Sequence, residues 1–350
     1  GREDVAPRRT ETATPERGDD LSILADFGGR VAVELRLWEA LERRLLAPFE
    51  YYGVHDGVSE EELARVRWTR GRGYDAGELG ALYTGHHARA ARVLAEVGRR
   101  TDATRMRALG FCVSVEHAQF MTAYFAGRGV AARALSGASS SDEREEAQRA
   151  LAAGTIAVIF TCDLFNEGVD LPFVDTLLLL RPTESATIFL QQLGPGLRLH
   201  AGKATCLVLD FIGQHRAEFR FDGVLTHLTG QPRGRLREAV EQDFPFLPSG
   251  CAMQLDAVAR DTVLRSLRAS VEGGYWSILP GLVIMGAGNG LAMTPSTEAI
   301  TASLPVDKQG VAYALNDTSR EIGGAVGVAL LGSILSSGYR SAIEPSLAGL

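Results

Sequence analysis

TIAVIFTCDLFNEGVDLP, Thr155–Pro172, is the stretch whose reading decides the fold. Its first half, TIAVIFTC, is a nearly continuous apolar run that stops at a polar, acidic, glycine-containing segment. A short run that is apolar at successive rather than alternate positions fits a strand buried on both faces. Such strands lie inside parallel sheets covered by helices on each side. The polar segment then falls at the carboxyl end of the strand, where open parallel sheets collect ligands.

The neighbouring sequence repeats the pattern. Upstream, ALGFCVSV (Ala108–Val115) reads as a buried strand, His117–Gly127 as a helix and GVAARALSG (Gly129–Gly137) as a second strand. Ser140–Gly154 reads as a helix that opens with Ser, Asp and Glu, a capped start. Downstream come VDTLLLLRP (Val174–Pro182), a helix over Ser185–Leu193, and TCLVLDFIG (Thr205–Gly213). Strands alternating with helices over about residues 105–215 predict an α/β fold around a parallel sheet.

Further out the signal thins. Val33, Leu37, Leu41 and Leu45 sit at helical spacing in Val31–Leu46, PFEYYGVHD (Pro48–Asp56) reads as a strand entering a turn, and Arg89–Arg100 reads as a helix. Gly230–Gly250 is polar with Pro and Gly, and Ala252–Val271 resembles a charged helix. The first twenty residues are charged and rich in Pro, Thr and Gly; they contain no apolar core of a signal peptide and no initiator Met, as if cut from something longer.

The chain of 350 residues has room for two domains, at roughly 100 to 200 residues each. Its net charge of −7 does not advertise a nucleic-acid partner, although a local basic groove can lie within an acidic average. Cys112, Cys162, Cys206 and Cys251 are far apart with no C-x-x-C pair, which argues against a zinc site or a disulfide scaffold. The first three lie in apolar runs and are expected as buried strand thiols. His86 and His87 have no nearby ligand set, and no metal site is expected.

Thr161–Pro172 and a later segment, QQLGPGLR (Gln191–Arg198), should both approach the carboxyl edge of the sheet, the second where its helix gives way to a loop. A Thr hydroxyl and exposed N–H groups suit a phosphate, an Asp suits a ribose hydroxyl, and Arg suits a transferring phosphoryl group. Each has a plainer reading: Asp170 before Leu-Pro caps a turn, and Thr161 ends a strand. Together with TATPER (Thr12–Arg17) and FCVSVEHA (Phe111–Ala118), these segments resemble motifs III, IV, V and VI of superfamily-two DEAD/DEAH-type helicases, in order, over about residues 10–270.

That resemblance implies a RecA-like, P-loop NTPase-like C-terminal helicase domain, with ATP and Mg²⁺ as cofactors and nucleic acid, DNA in the first instance, as partner. It implies that Gln191 senses the γ-phosphate and that Arg198 brings positive charge to it. Thr161, Asp163, Gly168 and Asp170 would bind nucleotide or the nucleic-acid backbone. Thr12, Thr14, Ser114 and His117 would bind nucleic acid or couple it to nucleotide state. Two departures bear on activity. No G-x-x-x-x-G-K-[ST] phosphate loop or DEAD-type acidic box occurs in the sequence, so the ATPase half that would hold Mg²⁺ is expected to be missing. Pro195 stands where the family carries an arginine finger, and proline offers neither charge nor N–H.

The composition changes near Val271–Gly274. Gly273–Thr297 and Ile322–Tyr339 carry no charge and are dense in Gly, Ala and Ser; a membrane span takes about 20 such residues. Gly281, Gly286, Gly288 and Gly290 fit a packed membrane helix better than a phosphate loop. Over about 273–343 this segment resembles the late helices of major facilitator drug:proton antiporters, with Asp307, Lys308 and Gln309 in the joining loop and Asn316, Asp317, Arg320 and Glu321 before the second run.

The expected organisation is therefore a remnant of a first helicase domain at 1–50, a linker and helical region at 51–104, and a C-terminal RecA-like domain at 105–225. A helical extension at 226–272 and a two-helix membrane-type hairpin at 273–350 complete it. Residues 1–272 are expected in the cytoplasm, with inner-membrane anchoring by the hairpin. The expected function is that of a helicase fragment, binding nucleic acid, supplying half of an ATP site and inactive alone. The alternatives are a transporter fragment or a non-functional fusion of the two.

Overall fold

The computed structural model describes residues 37–69, 73–162 and 171–302, with short pieces between 305 and 333. Thr12, Thr14, Asp163, Gly168 and Asp170 lie outside the described residues. The chain divides into two compact units, Gly1–Glu272 and Gly273–Leu350.

In the first unit α1 (Leu37–Glu42) leads to β1 (Phe49–His55). Then come α2 (Glu60–Ala64), an antiparallel pair of short strands, β2 (Trp68–Thr69) and β3 (Gly73–Tyr74), α3 (Ala76–Tyr83) and α4 (His87–Arg100). The central alternation is β4 (Ala108–Phe111), α5 (Val115–Ala126), β5 (Ala132–Ser136), α6 (Ser141–Ala153), β6 (Val158–Cys162), β7 (Thr176–Leu179), α7 (Ala186–Leu197) and β8 (Cys206–Ile212). After it come α8 (Phe221–Thr229), α9 (Arg233–Glu241), β9 (Ala252–Leu255) and α10 (Ala257–Ala302).

Seven strands form one sheet in the order β5-β6-β4-β7-β8-β1-β9, and every neighbouring pair is parallel. The expected central strands all appear, and their unbroken apolar character has a direct cause. Val158 and Phe160 of β6 enter one core with Ala108, Leu178 and Phe211, while Ile159 enters the other with Leu109, Leu177 and Val208. Each such side chain contributes about 1.5–3 kcal/mol by leaving water. Cys112, Cys162 and Cys206 are buried, as their apolar runs foretold. The sheet is also wider than the alternation that predicts it, because β1 and β9 add two strands beside β8.

Local signals account for the helix ends. Ser140 and Glu143 form a capping box at the start of α6, and Gly154 ends it in the left-handed conformation at φ 74°. α7 departs from expectation. The sequence places its end at Leu193, but the helix runs on to Leu197 with Pro195 inside it. Proline forgoes the bond that residue 195 would have given to the carbonyl four positions earlier. Packing outweighs that loss: Leu193, Pro195, Gly196 and Leu197 are all buried. A Cβ on Gly196 would meet Cys206 Sγ at 2.5 Å and a Leu177 methyl at 2.7 Å, so glycine lets the helix lie close against the sheet.

The segment Ala252–Val271 is not helical throughout, since its first residues pair with β1 as β9. The first uncharged run does not begin a helix of its own. It continues α10, whose opening turns carry Arg260, Asp261, Arg265 and Arg268. Among the described residues no helix is long and apolar enough to cross a membrane, so the expected membrane hairpin is not supported. The second run, Ile322–Tyr339, lies largely outside the described residues. Within the second unit Leu282, Val283 and Ile284 are exposed.

Candidate functional site

The strand order fixes where a ligand crevice should be. The chain leaves β4 toward β5 on one side and leaves β7 toward β8 on the other. The carboxyl ends of β4 and β7 thus flank a topological switch point. Side chains of the protein itself fill it. Arg89 of α4 is 1% exposed, and its Nη2 donates to the carbonyl of Leu180 just after β7 at 3.0 Å. Its Nη1 lies 3.3 Å from His117 Nε2, and its Nε donates to Asp56 Oδ2 at 2.7 Å. The guanidinium also sits 3.8 Å over the Tyr83 ring. Asp56 completes the pair by accepting the Val58 N–H at 2.9 Å.

His117 and Ser114 were expected to touch or couple nucleic acid. Ser114 is the N-cap of α5 and accepts from the His117 N–H at 3.1 Å. His117 is fully buried and presents no surface to a ligand in this arrangement. Burial first, and then Arg89, hold its pKa well below the ordinary histidine value, so the ring is neutral. Its Nδ1 lies 3.3 Å from the Val113 N–H. A neutral imidazole accepts at one nitrogen only, so the Val113 and Arg89 contacts are alternatives.

A second polar cluster lies beside it, at the ends of β7 and β8. Tyr51 donates to Asp210 Oδ2 at 2.6 Å. Burial pushes the Asp210 carboxyl up to about 6, the Tyr51 hydroxyl opposes this, and Asp56 adds to it. Burial lowers His215 to about 4, so it too is neutral. These residues line a cavity of about 20 Å³ with Arg181, Thr183 and Gln192, a volume that suits one water molecule. Gln192 Oε1 and His215 Nδ1 are buried there without a hydrogen-bond partner among the described residues.

α7 was expected to bring Gln191–Arg198 to the carboxyl edge of the sheet, but it runs antiparallel to the strands and ends beside the starts of β1, β7 and β8, at the opposite edge. Gln191, Gly194 and Arg198 are half-exposed, whereas Gln192, Leu193, Pro195, Gly196 and Leu197 are buried. Positions three and seven apart share one face of a helix, so Gln191 and Arg198 project on the same side, about two turns apart. Arg198 itself is the C-cap, in extended conformation. Pro195 faces the core, so an arginine in its place would have to work its way out from a buried position. Thr161 is buried within β6, where its carbonyl accepts the Cys112 N–H at 2.7 Å.

The comparisons with known proteins agree with this part of the chain. Residues 89–200 match the model of the helicase conserved C-terminal domain. This segment is similar to helicase C-terminal domains. The chain is 35% identical over 103 residues to the "Putative ATP-dependent helicase IRC3" of Saccharomyces cerevisiae, covering 29% of this chain and 15% of that protein. It is 37% identical over 126 residues to the "Putative mitochondrial ATP-dependent helicase irc3" of Schizosaccharomyces pombe, covering 36% and 21%. It therefore spans only a small share of those helicases. A separate likeness, 38% over 68 residues, is to the "Multidrug efflux pump LfrA" of Mycolicibacterium smegmatis, covering 19% of this chain and 14% of that one.

The matched segment begins at Arg89, the residue at the centre of the switch-point crevice. Arg89, Asp56 and Asp210 were not singled out from sequence. A buried arginine in RAARVLAEVGRR has the spacing of a solvent face, and nothing local marks it. Among the described residues no three His, Cys, Asp or Glu side chains converge. Gln191 and Arg198 share one face of α7.

Proposed function

We propose that this chain acts as the second half of a helicase motor, binding nucleic acid and offering α7 to the phosphates of ATP. The observation that carries the reading is the half-exposed face of Gln191, Gly194 and Arg198 on a buried helix of a segment similar to helicase C-terminal domains. Arg198 supplies charge to the γ-phosphate and Gln191 senses it. Asp163, Gly168 and Asp170 approach nucleotide or the nucleic-acid backbone, and Ser114, Thr12 and Thr14 couple the two, while the buried Thr161 and His117 act from within the fold. The sealed crevice between β4 and β7 supports a half-site: a nucleotide finds no room there and meets this domain from outside. With no phosphate-loop lysine in the sequence, nothing in the chain clamps the β- and γ-phosphates, and turnover is not expected from it alone.

Titrating the full chain with a fluorescent single-stranded oligonucleotide and a fluorescent ATP analogue tests this. Binding of both, with the nucleotide weakened about tenfold by Arg198→Ala, is the expected result; a tenfold loss corresponds to one charge-assisted contact of about 1.4 kcal/mol. Equal nucleotide binding by wild type and variant would refute the role of α7.

A second reading concerns residues 273–343, and the efflux-pump likeness and the exposed Leu282, Val283 and Ile284 favour it. In it the segment derives from a major facilitator transporter and attaches the helicase part to a membrane. Cosedimentation of the full chain with anionic lipid vesicles, lost on deleting 273–350, is its expected outcome, and no cosedimentation removes it.

A further inference from the structure

Lys203 lies outside every motif and just past the helicase match, which ends at residue 200. Its Nζ is half-buried and donates to three main-chain carbonyls: Pro172 at 2.8 Å, Val174 at 3.0 Å and Gly196 at 3.0 Å. An ammonium has three N–H donors, and each of these three carbonyls takes one. Two of the carbonyls, those of Pro172 and Val174, lie on the approach to β7. The third lies in the last turn of α7, two residues before Arg198.

Helix carbonyls in the last turn have no partner within the helix, and a cation there also favours the helix dipole. α7 gains both from Lys203, while the Ala47 N–H takes the carbonyl of Leu197 at 2.7 Å. The ammonium therefore sits at the centre of a tripod that ties two candidate-site segments together. An aspartate or glutamate partner would neutralise the charge but would not connect them.

We infer that Lys203 is a positioning residue that sets the end of α7, and with it Arg198, against the segment leading into β7. The inference rests on the proposed role of α7 in binding phosphate. Arginine is a poor replacement, because its planar fork cannot aim three N–H bonds from one centre at three carbonyls. Burial also lowers the lysine pKa, and Cys206 and the Asp175 carboxylate oppose that shift.

The test compares wild type, Lys203→Met and Lys203→Arg in the full chain. Amide hydrogen exchange is read at 171–174 and 194–199, and binding of a fluorescent ATP analogue is read well below the unfolding midpoint. Lys203→Met should raise exchange at least tenfold in both segments together, leave β1 and β4 unchanged, and weaken nucleotide binding at least fivefold. Lys203→Arg should fall between. Exchange that rises in one segment only, or uniformly across the sheet, overturns the tripod, as does full restoration by arginine. If wild type binds no nucleotide, the proposed function fails, and the exchange pattern still decides the positioning role.

Discussion

The crevice between β4 and β7 lies at the carboxyl ends of the strands, whereas α7 ends beside the starts of β1, β7 and β8, and the two are built in opposite ways. The crevice holds a buried ion pair and a neutral histidine. The α7 face is held by main-chain contacts to Lys203 and Ala47 and leaves Gln191 and Arg198 half in solvent. The crevice carries stability, and the proposed recognition falls to the helix face. A parallel sheet that fills its own switch point must meet its ligand elsewhere, as a half-site does when a second domain brings the nucleotide.

The largest expected effect lies in the crevice. Arg89→Met leaves Asp56 as an unpaired buried carboxylate and should cost about 3–5 kcal/mol in urea unfolding. Arg89→Lys should recover part of that, since an ammonium keeps the charge but loses the fork that reaches both Asp56 and Leu180. A loss under about 1 kcal/mol for the methionine variant would show that the pair is not what holds the strand ends together.

The second effect is one of pH. The folded-state pKa of Asp210 is raised to about 6 from 3.8, so the native state binds its proton more tightly than the unfolded chain. Its contribution therefore favours folding at low pH and is lost as pH rises from about 4 to about 6. Asp210→Asn should be more stable than wild type above pH 6, by on the order of 2–3 kcal/mol, and the difference should vanish near pH 4. His215 acts in the opposite sense in both proteins, because its pKa is lowered to about 4 and its contribution is lost as pH falls. The difference between variant and wild type removes it. A difference independent of pH would mean that Asp210 is not the group that titrates.

Sequence carried the sheet further than the site. The central strands were readable because burial on both faces leaves no polar alternation to confuse them, as in VIFTC and TLLL. β9 was not, because AMQL is short and Gln254 faces solvent, and α9 was hidden by the arginines of RGRLREAVE. The end of α7 was misplaced because proline alone reads as a stop, and the packing that overrides it comes from Cys206 and Leu177, distant in sequence. His117 was legible as a residue of a recognisable motif but not as a buried one. Gln191 and Arg198 were singled out through a segment that resembles a helicase motif, and Lys203 lies in none.

A smaller effect should come from Gly196→Ala. The added methyl strikes Cys206 and Leu177, so α7 must shift, at about 1–3 kcal/mol by thermal or urea unfolding. Nucleotide binding should fall with it, because Arg198 moves too. The smallest stability effect belongs to Arg198→Ala, within about 0.5 kcal/mol, at a half-exposed C-cap. If Arg198→Ala destabilises as much as Gly196→Ala, the contrast between a structural crevice and a recognising helix face is lost.

The most direct test of the half-site is ATP hydrolysis by the full chain with and without single-stranded oligonucleotide, beside a binding isotherm for the same oligonucleotide. Saturable binding with no oligonucleotide-stimulated turnover is the predicted result. Stimulated turnover would contradict it, by showing that the chain clamps ATP without a recognisable phosphate loop.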